Sequence, residues 1–175
     1  MTLEEPANKS FAVLKLLLVG LLVFYAWKLL FGHQSFTFLD NINLPIHEFG
    51  HLLFTPFGEF MHFLGGSLFQ IIFPMIMVGA FFFKRDPFAA GICLFWAGQS
   101  MINVSYYVAD ARAQELPLIG GQHDWDYLLS ELSWLQYDTK LGTFVFICGA
   151  FVIIAGLLLS TFIAIREGGW VAVRH

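Results

Sequence analysis

Apolar positions fall in long unbroken runs along this chain, not at the short intervals that mark half-exposed strands or surface helices. Residues 11–31, 67–83, 88–109 and 141–165 each supply the roughly 17–25 apolar residues that a membrane-crossing helix needs. Lys15 and Lys28 sit near the ends of the first run, where their stems reach the interface. That run lacks a basic leader and a small-residue cleavage site, so it is expected to stay as an anchor. Ahead of the second run, apolar sequence starts at Leu44, and the whole is too long for one crossing. Thr55-Pro56-Phe57-Gly58-Glu59 and Gly65-Gly66-Ser67 interrupt it. These breaks predict a short helix over about 44–55, an irregular stretch carrying Glu59 and His62, and a crossing helix kinked at Pro74. Asp40, Asn41 or Asn43 is expected to cap the short helix, with Pro45 in its first turn.

Lys84-Arg85-Asp86-Pro87 reads as a tight turn. The stretch 110–140 is the most polar of the chain, with six acidic and two basic residues. Within it Leu128, Leu129, Leu132 and Leu135 form an apolar stripe flanked by Trp125 and Trp134, which predicts an amphipathic helix on the membrane surface. The expected fold is therefore all-α and a single domain over 1–175. It is a polytopic membrane bundle of four spanning helices, a short re-entrant motif helix and an interfacial helix. Lys84, Arg85, Arg166 and Arg174 place that turn and the C-terminus in the cytoplasm and the 110–140 loop outside. Four spans put the N-terminus inside and five full spans put it outside. The re-entrant arrangement sets His47 and the acidic loop on one side.

Composition agrees with the pattern: of 175 residues 58% are hydrophobic and only 13% charged, against about 25% charged in soluble domains. The net charge of −4 leaves no footprint for nucleic acid. Cys93 and Cys148 lie in apolar runs and imply no disulfide framework.

One polar constellation stands out against this background. His47-Glu48-Phe49-Gly50-His51 is an HExxH motif; on a helix it brings two imidazoles onto one face to hold one zinc ion, with Glu48 placed to act on water. Ionisable groups in hydrocarbon surroundings are costly to keep, which favours a metal site over a plain buried polar cluster. Catalytic zinc takes three protein ligands, and the motif supplies two. The His123-Asp124 pair, after two glycines and at a helix start, is the first source of the third; Asp110 is the alternative, and Glu59 or His62 follow. Gln70, Asn103 and Tyr106 are candidates to hydrogen-bond a substrate or oxyanion.

These residues resemble the site-2-protease class of intramembrane zinc metalloproteases over roughly residues 40–135. His47, Glu48 and His51 match its motif, and Gly65-Gly66-Ser67-Leu68-Phe69-Gln70 is similar to its glycine-led loop. Leu116-Pro117 and Asp124 stand where that class has an N-x-x-P…L-D-G stretch, with His-Asp-Trp in place of LDG. The resemblance implies that the two histidines bind zinc, that Glu48 activates water, and that an aspartate completes the site. The implied activity is cleavage of a membrane-spanning or membrane-adjacent polypeptide. Hydrolysis of a lipid or amide, and a non-catalytic metal-binding scaffold, are the alternatives. A bacterial inner membrane is the expected location.

Overall fold

The computed structural model describes residues 9–32, 36–117 and 122–170. Among them there is no strand, and six helices carry the fold: α1 (Lys9–Phe31), α2 (Asp40–Phe54), α3 (Glu59–Phe83), α4 (Pro87–Ala109), α5 (Asp124–Glu131) and α6 (Asp138–Glu167). Short 3-10 turns at Thr55–Phe57 and Leu135–Tyr137 precede α3 and α6. Four helical segments are long and apolar enough to cross a membrane: α1, α3, α4 and the stretch Leu135–Glu167 that contains α6.

The stretch expected to be irregular after residue 55 is mostly helix. Gly58, at φ +100°, makes the turn, and α3 starts at Glu59 and continues through Gly65, Gly66 and Pro74. Glycine weakens a helix by about 1 kcal/mol relative to alanine. Here it lets a second backbone approach: a Cβ on Gly65 would lie 2.7 Å from the Gly50 carbonyl oxygen of α2. The gain from close packing decides the local conformation. None of the expected residues caps α2, which starts at Asp40 with Leu39 before it and no side-chain cap bond. The turn into α4 follows the expected chemistry, with the Asp86 carboxylate accepting from Ala89 N and Pro87 opening the helix.

Among the spans α4 is the central one, 67% buried over its most apolar window against 17–28% for the others. Along α6, Gly142, Gly149 and Gly156 recur every seven residues and face α4. Cβ atoms there would meet Ser105 O at 2.7 Å, Gly98 O at 2.9 Å and Phe95 N at 2.6 Å, so the two helices run antiparallel with backbones in contact. A seven-residue repeat keeps such a seam facing its partner along a left-handed crossing. Helix α1 lies antiparallel to α6: Val19 packs with Ile163 and Ala164, and Ala26 and Leu29 pack with Phe95 and Ile153. Lys15 reaches Glu167 and lies over the Phe88 ring. The start of α1, the 84–86 turn and the end of α6 therefore share one end of the bundle, and α5 and the 110–117 segment occupy the other.

Helix α2 begins deep. Asp40 and Asn43 are buried near the middle of α4, where Gln99 Nε2 donates to Asp40 Oδ1 at 2.7 Å and Trp96 Nε1 donates to Asn43 Oδ1 at 2.8 Å. Just before it, the Tyr25 hydroxyl donates to Thr37 Oγ1 at 2.6 Å. From that level α2 runs outward to the end where α5 sits.

Candidate metal centre

The periodicity of α2 puts His47 and His51 one turn apart, and α5 delivers Asp124 from the opposite side. The Nε2 atoms of the two rings lie 3.0 and 3.3 Å from Asp124 Oδ2. The three donor atoms all fall within 4.8 Å of one another. Behind the rings, His47 Nδ1 donates to Gln70 Oε1 at 3.1 Å, and His51 Nδ1 donates to the His62 backbone carbonyl at 2.8 Å. His62 Nδ1 returns a bond to the His51 carbonyl at 3.1 Å, which ties the end of α2 to α3. With both Nδ1 protons committed outward, each neutral ring turns a lone pair on Nε2 toward a carboxylate oxygen. Three acceptors facing one point repel unless a cation stands between them, and metal-bound histidines characteristically give their other N–H away in this manner.

The floor beneath the rings is bare. A Cβ on Gly66 would lie 2.6 Å from both Nε2 atoms, so only glycine leaves the space open. Two contacts dock α5 on α3: Trp125 Nε1 donates to Ser67 Oγ at 3.0 Å, and the Tyr127 and Phe63 ring centroids are 4.2 Å apart. The donors open onto a cavity of about 60 Å³. At about 10–15 Å³ for each water it admits an ion and a few waters.

Electrostatics follow from this layout. With no ion present, burial pushes the Asp124 carboxyl up, but a proton held on Nε2 of His47 or His51 pairs with the carboxylate, outweighs burial and holds it at about 2. Burial works against charge on His51, yet Asp124 and the His62 carbonyl raise its pKa above the ordinary 6.5.

The other sequence candidates fall in different places. Glu48 lines the cavity beside His47 and holds no hydrogen bond or ion pair among the described residues. His123 does not face the cluster: as the residue before α5 it accepts Asp126 N–H on Nδ1, which turns its Nε2 toward Asp110 Oδ2 at 3.4 Å. That Nε2 is buried without a hydrogen bond. Asp110 is likewise apart from His47 and His51, its two oxygens accepting from Glu115 N and Leu116 N at 3.0 Å each. Its position at the end of α4 makes it a clasp for the following loop. Glu59 is exposed at the start of α3. Asn103 lines the cavity, and Gln70 lines it while standing behind His47. Tyr106 packs on Phe146 away from the cavity, and its neighbour Tyr107 lines it instead.

Sequence reading gave neither Gly66 nor Tyr107 a place at the metal centre: Gly66 counted only as part of a break and of a glycine-led loop. The signal for Gly66 was its spacing from Gln70 on one helix face; for Tyr107, only the rotational phase of α4 decides, which apolar runs do not reveal. No known protein family, curated protein or solved structure matches this chain.

Proposed function

We propose that the protein is a membrane-embedded zinc hydrolase of the metallopeptidase type, acting on a membrane-spanning or membrane-adjacent polypeptide. The observation that carries this reading is the convergence of two imidazole lone pairs and one carboxylate oxygen over a glycine floor, with Glu48 on the same cavity. Three protein donors of N, N and O type are the number and kind that catalytic zinc uses, whereas structural zinc is closed by four. The His47, His51 and Asp124 side chains would hold the ion. Zinc bound there supplies Lewis acidity and brings the pKa of water down to about 7.

The chain's own residues divide the remaining work. Glu48, with a free carboxylate in the cavity, takes a proton from the attacking water and returns it to the departing amine nitrogen. Asn103, on the α4 wall, offers its side-chain N–H to the scissile segment, and Tyr107 lines the same wall with its hydroxyl donating to the Pro117 carbonyl. The apolar walls from Phe36, Leu44 and Val104 limit water around the reacting carbonyl. In this reading α2 is re-entrant: it starts beside Gln99 at the middle of the bundle and runs out to the end where α5 sits. The cationic end, with Lys15, Lys84, Arg85 and Arg166, is cytoplasmic, and α5 lies at the outer surface with its Leu128–Leu129 face on the bundle.

The test is zinc content of the purified protein together with cleavage of a transmembrane peptide library. One zinc per chain is expected, with cleavage lost in Glu48→Gln while zinc is kept. Protein without stoichiometric metal, or a Glu48→Gln variant that cleaves as wild type does, overturns the reading. Turnover of labelled lipid extracts in place of peptides moves the substrate to a lipid, and a zinc-loaded protein inert to both is a scaffold.

A further inference from the structure

We infer that Gln70 is a positioning residue that selects the metal-binding tautomer of His47; the inference rests on the metal-site reading above and deepens it. Gln70 is 2% exposed and sits one turn after Gly66 on the same face of α3. A primary amide buried among apolar helices needs partners at both ends. Its Nε2 donates to Asn103 Oδ1 at 2.8 Å, and this leaves Oε1 for His47 Nδ1 at 3.1 Å. An amide oxygen only accepts, so the ring proton of His47 is held on Nδ1 and Nε2 keeps its lone pair.

The reversed amide has the opposite consequence. An N–H from Gln70 facing His47 requires the lone pair on Nδ1 and the proton on Nε2. That proton then points at Asp124 Oδ2, 3.0 Å away, and the resulting hydrogen bond occupies the place of the ion. The choice between a metal site and an ordinary His–Asp hydrogen bond is therefore made on the far side of the ring from the ligands. For His51 the same role falls to a backbone carbonyl, which has no second orientation. Only His47 depends on a side chain, and this asymmetry makes the inference testable.

The experiment measures zinc affinity of the full-length, detergent-solubilised protein by chelator competition, and follows cobalt absorption as a signature of ligand geometry. Gln70→Leu, which can accept nothing, is expected to bind zinc about 10–100-fold more weakly, the usual effect of losing such a partner. Gln70→Glu, which can only accept, is expected to keep wild-type affinity or exceed it, with the wild-type cobalt spectrum. Melting of the metal-free proteins separates binding from folding, and Gln70→Glu keeps the inference falsifiable if Gln70→Leu does not fold. Wild-type affinity in Gln70→Leu, or an equal loss in Gln70→Glu, overturns the role of Gln70 alone. Wild-type protein that binds no zinc overturns the metal site beneath it.

Discussion

Two helix pairs in this molecule meet through glycine, and they use it for different ends. Along the α4–α6 seam, Gly142, Gly149 and Gly156 bring two spans into backbone contact, and nothing but packing happens there. Between α2 and α3, Gly50 and Gly65 make the same kind of contact, but one residue on, Gly66 holds open the space beneath His47 and His51. Removing a Cβ in the first pair strengthens a scaffold. In the second it leaves clear the place that the proposed ion would take. The same residue type therefore marks stability in one place and a site in the other, and only the neighbour distinguishes them.

Substitutions at the two seams sharpen the contrast. Gly66→Ala is expected to have the largest effect on the site, with zinc binding at least about 100-fold weaker because the new Cβ intrudes 2.6 Å from both Nε2 atoms. The same change removes a helix-interior glycine, which favours the fold by up to about 1 kcal/mol, while the two rings must move off the new Cβ, so melting of the metal-free protein should change little. Gly149→Leu reverses the pattern. Its side chain meets Gly98 O and Ile102 at 2.9 Å, so about 1–3 kcal/mol of stability should be lost on denaturant titration, with zinc affinity of the folded fraction unchanged. If both variants lose stability and zinc together, the division of labour between the seams is wrong.

Acidity gives a graded version of the same test. Asp124 and the His62 carbonyl hold the His51 pKa above 6.5 in the folded protein, and an ion at the proposed site would compete with that proton. The sign is fixed by the neutral ring being the ligand. Affinity should be constant above the folded pKa and fall by about tenfold per pH unit below it, read by chelator competition across pH. The smallest change expected is from Trp125→Phe, which removes the bond to Ser67 that seats α5. One such bond contributes about 1 kcal/mol, so zinc should bind about 5-fold more weakly with the cobalt spectrum unaltered.

Much of this was legible in residue order because two periodicities speak plainly in an apolar chain. Long hydrophobic runs marked α1, α4 and α6, and the four-residue spacing of His47 and His51 marked a shared face. What escaped depends on neighbours. Gly65-Gly66 reads as a break by local propensity, yet here α2 presses against it and the helix continues. Histidine and aspartate are both zinc-ligand types, and only the exact start of α5 separates His123 from Asp124: the residue before the helix turns back to Asp126 N, and the first residue of the helix faces His47 and His51. Gln70 was offered as a hydrogen-bond partner for a substrate or oxyanion, and it does line the cavity. Its partner proved to be the back of a ring. Asp40 offered itself as a cap, but its carboxylate serves a buried network with Gln99 and Thr37.

The separation of the donors along the chain carries a consequence for biosynthesis. His47 and His51 are made with the second helix, whereas Asp124 follows α4 by more than a dozen residues. A nascent chain halted after four helices holds two imidazoles and no carboxylate to complete the set. On the proposed hydrolase function, competence would arrive only with α5, and an unfinished translation product would be harmless to the membrane proteins being inserted beside it.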